Sequence, residues 1–209
     1  MSNFKIEWLR RYLPRTPTVI LDVGTYDGAD AIRFKQAFPS CRVEAFEADP
    51  GNIKRMMDSG ECKRAGVNVH WAAVSDCPET SELFHPNTNK DNPLGTWSGS
   101  ILHPNASCTD RFPFLEFHGS IIVPSYRLDD FCWRNMIDHI DLLHMDVQGA
   151  EGYVLEGLDD IRPRMIFLEI DETTHYDGAM PLPGLRALLA RMGYGQEWAD
   201  EHDALYVLR

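Results

Sequence analysis

The feature that most restricts the fold of this chain is a change of period at its first glycine. Thr18–Val23 (TVILDV) is a short, mostly apolar, β-rich run, the composition of a strand buried on both faces. Gly24 follows at once, and residues 28–38 (GADAIRFKQAF) then carry Ile32, Phe34 and Phe38 at helical spacing, with Pro39 beyond. This strand–turn–helix unit recurs. Arg42–Glu47 is a second strand, 51–59 a helix and Val67–Val74 a third strand. After a gap come a strand at Ile121–Tyr126, a helix from Leu128 to about 137 with Asp129 as its expected N-cap, and a strand at Ile140–Val147. A helix over Gly149–Asp160, a strand at Met165–Ile170 and a helix over Leu185–Met192 follow. Tyr194–Trp198 and Ala204–Leu208, joined by the acidic turn ADEHD, read as a closing hairpin. Alternation of this kind predicts an α/β fold: a mostly parallel sheet with helices on both faces and one antiparallel edge strand.

A length of 209 residues suits one domain. It is prefaced by a short amphipathic helix at 3–13, within a segment ended by Pro14 and Pro17. Residues 76–120 break the rhythm, being rich in Pro, Asn, Ser, Thr and Gly, with SELF and SIL as possible short strands. A stretch this long is either a surface elaboration or a substrate lid, and aromatics such as Phe84, Trp97, Phe112 and Phe114 could line a pocket there. Lys and Arg number 20 against 32 Asp and Glu, a net charge of −12, which argues against nucleic acid or an anionic membrane as partner. No apolar run approaches the roughly 18 residues of a membrane span. The N-terminus lacks the apolar core of a secretory signal. Cys41, Cys62, Cys77, Cys108 and Cys132 form no CxxC pair and read as reduced thiols, so a cytoplasmic protein is expected.

In such a sheet ligands bind beyond the carboxyl ends of the strands. The first strand delivers Asp22-Val23-Gly24-Thr25-Tyr26-Asp27-Gly28, whose glycines let a ligand approach the backbone. The second delivers Glu47, nineteen residues after Gly28, an acid placed to accept from a ribose diol. The third delivers Ser75 and Asp76, acceptors for an adenine amino group. The fourth delivers Asp146-Val147-Gln148-Gly149-Ala150-Glu151, with His144 and Asp146 on one face by strand alternation. Glu151 reads equally as a cap at the helix start. Glu169 lies in the apolar run MIFLEI, where an acid needs a partner or a chemical task.

Taken together, LDVGTYDGAD, EAFEADP, WAAVSD, VPSYRLDDF, IDLLHMDVQGAEGYVLEGL and RPRMIFLEI resemble, in order, the FkbM family of S-adenosylmethionine-dependent methyltransferases. The resemblance implies a Rossmann-like class I methyltransferase fold with seven strands, and methyl transfer to a hydroxyl of a small molecule or sugar. It implies S-adenosyl-L-methionine held by Asp22, Gly24, Thr25 and Gly28 in the cofactor loop, by Glu47 and Ala48 at the ribose, by Ser75 and Asp76 near adenine, and bordered by Asp146. Asp146 and Glu169 match acidic family positions, and Ser98 and Ser100 fall in a serine-rich stretch. Tyr26, His144 and Gln148 stand where the family usually has Asn, Lys and Glu.

An alcohol must lose its proton to attack a sulfonium, so a base or a metal is expected. His144 is the candidate base beside Asp146; alternatively Asp146 and Glu169 share a magnesium ion. Two other functions share parts of this pattern. An NAD-dependent oxidoreductase shares the acid after the second strand but would have G-x-G-x-x-G, which is missing here. A non-catalytic cofactor-binding or interaction domain would keep the fold without turnover.

Overall fold

The computed structural model describes residues 2–86 and 98–209. Trp97 and most of the loop around it lie outside the described residues.

β1 (Val19–Val23) and β7 (Leu142–Met145), at the centre, are apolar but for Asp22 and His144 because both of their faces are covered. β1 lies between β2 (Arg42–Glu47) and β7, parallel to both. The sheet extends through β3 (Asn68–Trp71) on one side and β8 (Met165–Glu169), β10 (Asp203–Leu208) and β9 (Tyr194–Ala199) on the other. Seven strands thus run in the order β3-β2-β1-β7-β8-β10-β9. The antiparallel member is β10, one place in from the edge expected for it: the hairpin folds β10 back against β8 and leaves β9 outermost.

Side-chain alternation divides the core in two. Leu21, Val23, Leu143, Met145, Ile166 and Leu168 face α6 (Leu128–Arg134), α7 (Glu151–Glu156) and α8 (Leu182–Arg191). Ile20, Val43, Ala45, Leu142 and Phe167 face α1 (Ile6–Tyr12), α2 (Ala29–Ala37), α3 (Pro50–Ser59) and α4 (Glu61–Ala65). Asp129 is not the cap of α6; the helix starts at Leu128, and the Asp129 carboxylate instead accepts from the Arg127 guanidinium.

The expected third strand is broken at Ala72. β3 stays in the main sheet, while β4 (Ala73–Val74) turns away to pair with β6 (Phe117–Tyr126). β6 also pairs antiparallel with β5 (Glu79–Pro86), making a second sheet, β4-β6-β5. Residues 76–120 are therefore ordered over much of their described length, and include α5 (Ala106–Arg111) with Asn105 as its N-cap. Among the described residues no helix is long and apolar enough to cross a membrane.

The register of β1 against β7 is set at its start by a buried acid. Asp141, 2% exposed, accepts from the backbone N–H of Thr18 at 2.6 Å and of Val19 at 3.1 Å, and from the Thr18 hydroxyl. Asp141→Ala strands these donors, so the urea midpoint should fall with an unchanged slope, a loss of roughly 3 kcal/mol. An unaltered midpoint would deny Asp141 that role.

Candidate active site

The carboxyl ends of β1, β2, β7 and β8 open into a cavity of about 480 Å³. Glycine makes this end of the sheet possible. Gly24 has φ +77°, and a Cβ there would lie 1.9 Å from the Asp146 carbonyl oxygen. The turn after β1 therefore packs directly on the end of β7, which only glycine permits. Gly28, expected in the cofactor loop, does not line the cavity. It starts α2 at φ +79° and leaves room for the Cys62 sulfur.

Asp22 ends inside the protein, 1% exposed, with both oxygens engaged. It accepts from the Thr25 hydroxyl at 2.5 Å and from His144 Nδ1 at 2.7 Å. A carboxylate has no proton to give, so the ring nitrogen donates. His144 Nε2 lies 2.9 Å from the Ser2 hydroxyl, and the ring stacks on Phe167 with Phe4 and Phe34 at its edges. Burial works against its charged form, but Asp22 outweighs this and raises the imidazole pKa above the ordinary value.

Glu47 lies where it was expected, at the end of β2 and in the cavity wall beside Ala48. Its two oxygens accept from the backbone N–H of Tyr26 and of Asp49, each at 2.8 Å. Burial lifts its carboxyl to about 7 against the pull of these donors. Ser75 and Asp76 fall outside the cavity lining, because the chain leaves the main sheet at Ala72; Ala72, Ala73 and Val74 form the wall instead. Ser75 bonds to the Ser125 hydroxyl and the Cys77 carbonyl.

Asp146 follows β7 and is exposed into the cavity, and Glu169 ends β8. Met145 pairs with Leu168, so the two acids stand side by side one register step further on. Burial first, then the neighbouring charges of Asp146 and Glu151, hold the Glu169 carboxyl well above its ordinary range. The Gln148 amide nitrogen donates to Asp146 Oδ1 at 2.8 Å and to Glu169 Oε2 at 3.0 Å. Magnesium does not fit this pair as it stands, because the Gln148 amide already donates to both carboxylates where a shared cation would sit. Among the described residues no group of three or more His, Cys, Asp or Glu side chains could hold a metal ion.

A second cavity, of about 430 Å³, adjoins the first and shares Asp146 and Glu169 with it. Phe112, Phe114, His175, Tyr176, Met180 and Leu185 line it. Glu151 belongs to this wall. It accepts from the N–H of Val147 at 3.3 Å and of Gly149 at 3.4 Å, and burial lifts its carboxyl to about 7. Sequence reasoning missed Ser2, Asn3, Asp49, His202 and Asp203 in the first cavity. Of these only Asp49 carried a local signal, as an acid before Pro50 at a helix start.

Eight carboxylates and no lysine or arginine occur among the described residues of the first cavity, a setting suited to a cationic sulfonium on a nucleoside. With this sheet order and a cavity at the carboxyl ends of its strands, the fold is that of the class I S-adenosylmethionine-dependent methyltransferases. The chain belongs to the FkbM methyltransferase family, whose Methyltransferase FkbM domain model matches residues 22–195. It is 36% identical over 182 residues to 2-O-methyltransferase NoeI of Sinorhizobium fredii, covering 85% of this chain and 73% of that one. It is 24% identical to Methyltransferase sdnD of Sordaria araneosa, over 94% of this chain and 83% of that one. Among solved structures, fibrillarin of Aeropyrum pernix with natively bound S-adenosyl-L-methionine is similar at a TM-score of 0.49 and 14% identity, covering 96% and 72% of the two chains.

Two buried carboxyls with raised pKa values, Glu47 and Glu151, give the apoprotein a defined pH response. Between the ordinary carboxyl value of 4.5 and about 7, the folded Glu47 and Glu151 hold protons that the unfolded chain has released. Stability must therefore fall as pH rises through that window. Melting temperature should decline from about pH 5 to about pH 7.5, and Glu151→Gln should flatten the decline. An equal slope in the variant would show that Glu151 keeps its ordinary affinity for protons.

Proposed function

We propose that this chain transfers a methyl group from S-adenosylmethionine to a hydroxyl oxygen of a small molecule or glycan. The observation that carries the reading is the meeting of two cavities at one pair of acids. The first cavity would hold the cofactor, with Gly24 at its floor and Glu47 at the ribose. The second would hold the acceptor, and Asp146 and Glu169 stand in the walls of both. The relative named as a 2-O-methyltransferase supports oxygen as the methylated atom.

The bound cofactor supplies an electrophilic methyl on a sulfonium. The chain's own contribution is alignment and proton acceptance. A hydroxyl presented from the second cavity reaches the boundary with the first, and fixing that approach removes much of the entropic barrier to an in-line displacement. With the cofactor bound, the acceptor oxygen would take the methyl while sulfur keeps the electron pair of the bond it loses, and the hydroxyl proton would pass to the Asp146–Glu169 pair. A carboxyl held above its ordinary range is a better base near neutral pH than a free one. His144, whose two ring nitrogens are engaged by Asp22 and Ser2, is in this reading a positioning residue. It fixes the carboxylate under the cofactor loop and is not the base.

Two measurements test the reading. S-adenosylmethionine and S-adenosylhomocysteine should raise the melting temperature, whereas NAD should not; a shift with NAD alone would favour an oxidoreductase. Asp146→Asn and Glu169→Gln should each lower kcat by about a hundredfold while cofactor Kd moves by less than about threefold. Full turnover in both would remove the pair from the chemistry. Cofactor binding with no transfer to a broad panel of alcohols would favour a non-catalytic domain.

A further inference from the structure

Gln148 is held in a conformation that its residue type does not favour. Its φ is +53°, in the left-handed region where residues other than glycine are uncommon. Its carbonyl oxygen accepts from the Ser100 hydroxyl at 2.8 Å, and Ser100, 1% exposed, is itself bound to the second sheet by reciprocal backbone bonds with Phe84. The turn after β7 is thus fastened from outside the main sheet. The result is that the side chain points back over the ends of β7 and β8.

There, one amide nitrogen meets two carboxylates. A primary amide nitrogen has two N–H bonds, and Asp146 Oδ1 at 2.8 Å and Glu169 Oε2 at 3.0 Å take one each. The donor count matches the acceptor count. The backbones of neighbouring parallel strands lie about 4.8 Å apart, so the two carboxyls also meet each other directly, a contact that helps hold the Glu169 carboxyl above its ordinary range, and the amide fixes how they meet.

We propose that Gln148 is a positioning residue for methyl transfer, its amide clamping Asp146 and Glu169 into the fixed pair that receives the acceptor's proton where the two cavities meet. This rests on the reading of those two acids as the proton acceptor. The clamp does two things. It fixes the direction in which the carboxylate lone pairs face the acceptor, and its donated hydrogen bonds favour the ionised form that can take a proton. An ionised glutamate, the residue the family usually has here, lacks these two N–H donors, so the amide clamp is particular to this chain's own pair.

The test uses the full chain with Gln148→Glu and Gln148→Leu, both close to glutamine in size and both keeping a side chain at the same φ. Binding of S-adenosylmethionine, followed by thermal shift, shows that each variant is folded and has its cofactor cavity. Each should bind the cofactor within about twofold of the parent and lose at least about tenfold in kcat. The decisive readout is the acidic limb of the kcat profile. Loss of the donors, and in Gln148→Glu an added negative charge, should move that limb upward by about one pH unit, more for Glu than for Leu. An unmoved limb with reduced kcat would leave Gln148 a merely structural role and overturn the proposal, as would unchanged kcat. If Asp146→Asn and Glu169→Gln retain full turnover, the reading of the acid pair itself fails. If they lose turnover while both Gln148 variants match the parent, only the clamp fails.

Discussion

The pairing of β1 with β7 is the constraint from which the rest of the site follows. It is fixed at three heights. At the start, the Asp141 carboxylate gathers the N–H groups of Thr18 and Val19. In the middle, Asp22 is bonded to His144, two residues that face each other in the register. At the far end, the N–H of Asp146 donates to Val23 at 3.0 Å, and the missing side chain of Gly24 leaves room for the Asp146 carbonyl. A slip of one residue would put Asp22 and His144 on opposite faces of the sheet and bring a side chain against the Asp146 backbone. The same pairing therefore places the cofactor loop and the acid of the transfer step with respect to each other.

The acids of the site lie in different solvation regimes, and this sorts their roles. Asp22 is buried and fully bonded, which suits a fixed support. Glu47 and Glu151 are buried with backbone donors that only partly offset desolvation. Asp146 is exposed to the cavity, and Glu169, beside it, is pushed upward by burial and by its neighbour's charge. Adjacent acids in unequal environments cannot both be fully ionised at low cost, and this pair sits where a proton has to be accepted.

The order of strands and helices was legible because the residues that make each central strand are apolar on both faces, and because Gly24, Gly60 and Gly193 stand at element ends. Glu47, Asp146 and Glu169 were legible because each is an acid at the carboxyl end of an expected strand. The departure of the chain at Ala72 was not. Val67–Val74 reads as one strand, since nothing in VNVHWAAV marks the point where pairing passes from β2 to β6. That partner lies some fifty residues away, and Ser75 and Asp76 were carried with it out of the cavity. The magnesium reading failed at Gln148, whose position between two carboxylates depends on a left-handed turn that no local residue preference announces.

The two cavities also differ in how they are built, and the difference separates chemistry from recognition. The first lies against strand ends whose positions the main sheet dictates. The second is walled largely by two excursions, 98–115 and 171–180, that bind each other. Asn105 and His175 join through N–H and carbonyl, as do Asp177 and His103, while the Asn105 amide reaches the Thr174 carbonyl and Ser107 meets the His175 ring. Residues in these segments carry no strand of the main sheet. Beyond Ser100, which holds the Gln148 carbonyl, they can therefore change in shape and polarity without touching Gly24, Glu47 or the acid pair. If the second cavity holds the acceptor, as proposed, a chain built this way keeps one methyl-transfer geometry on its sheet and leaves the choice of acceptor to Phe112, Phe114, His175 and Tyr176 in the excursions.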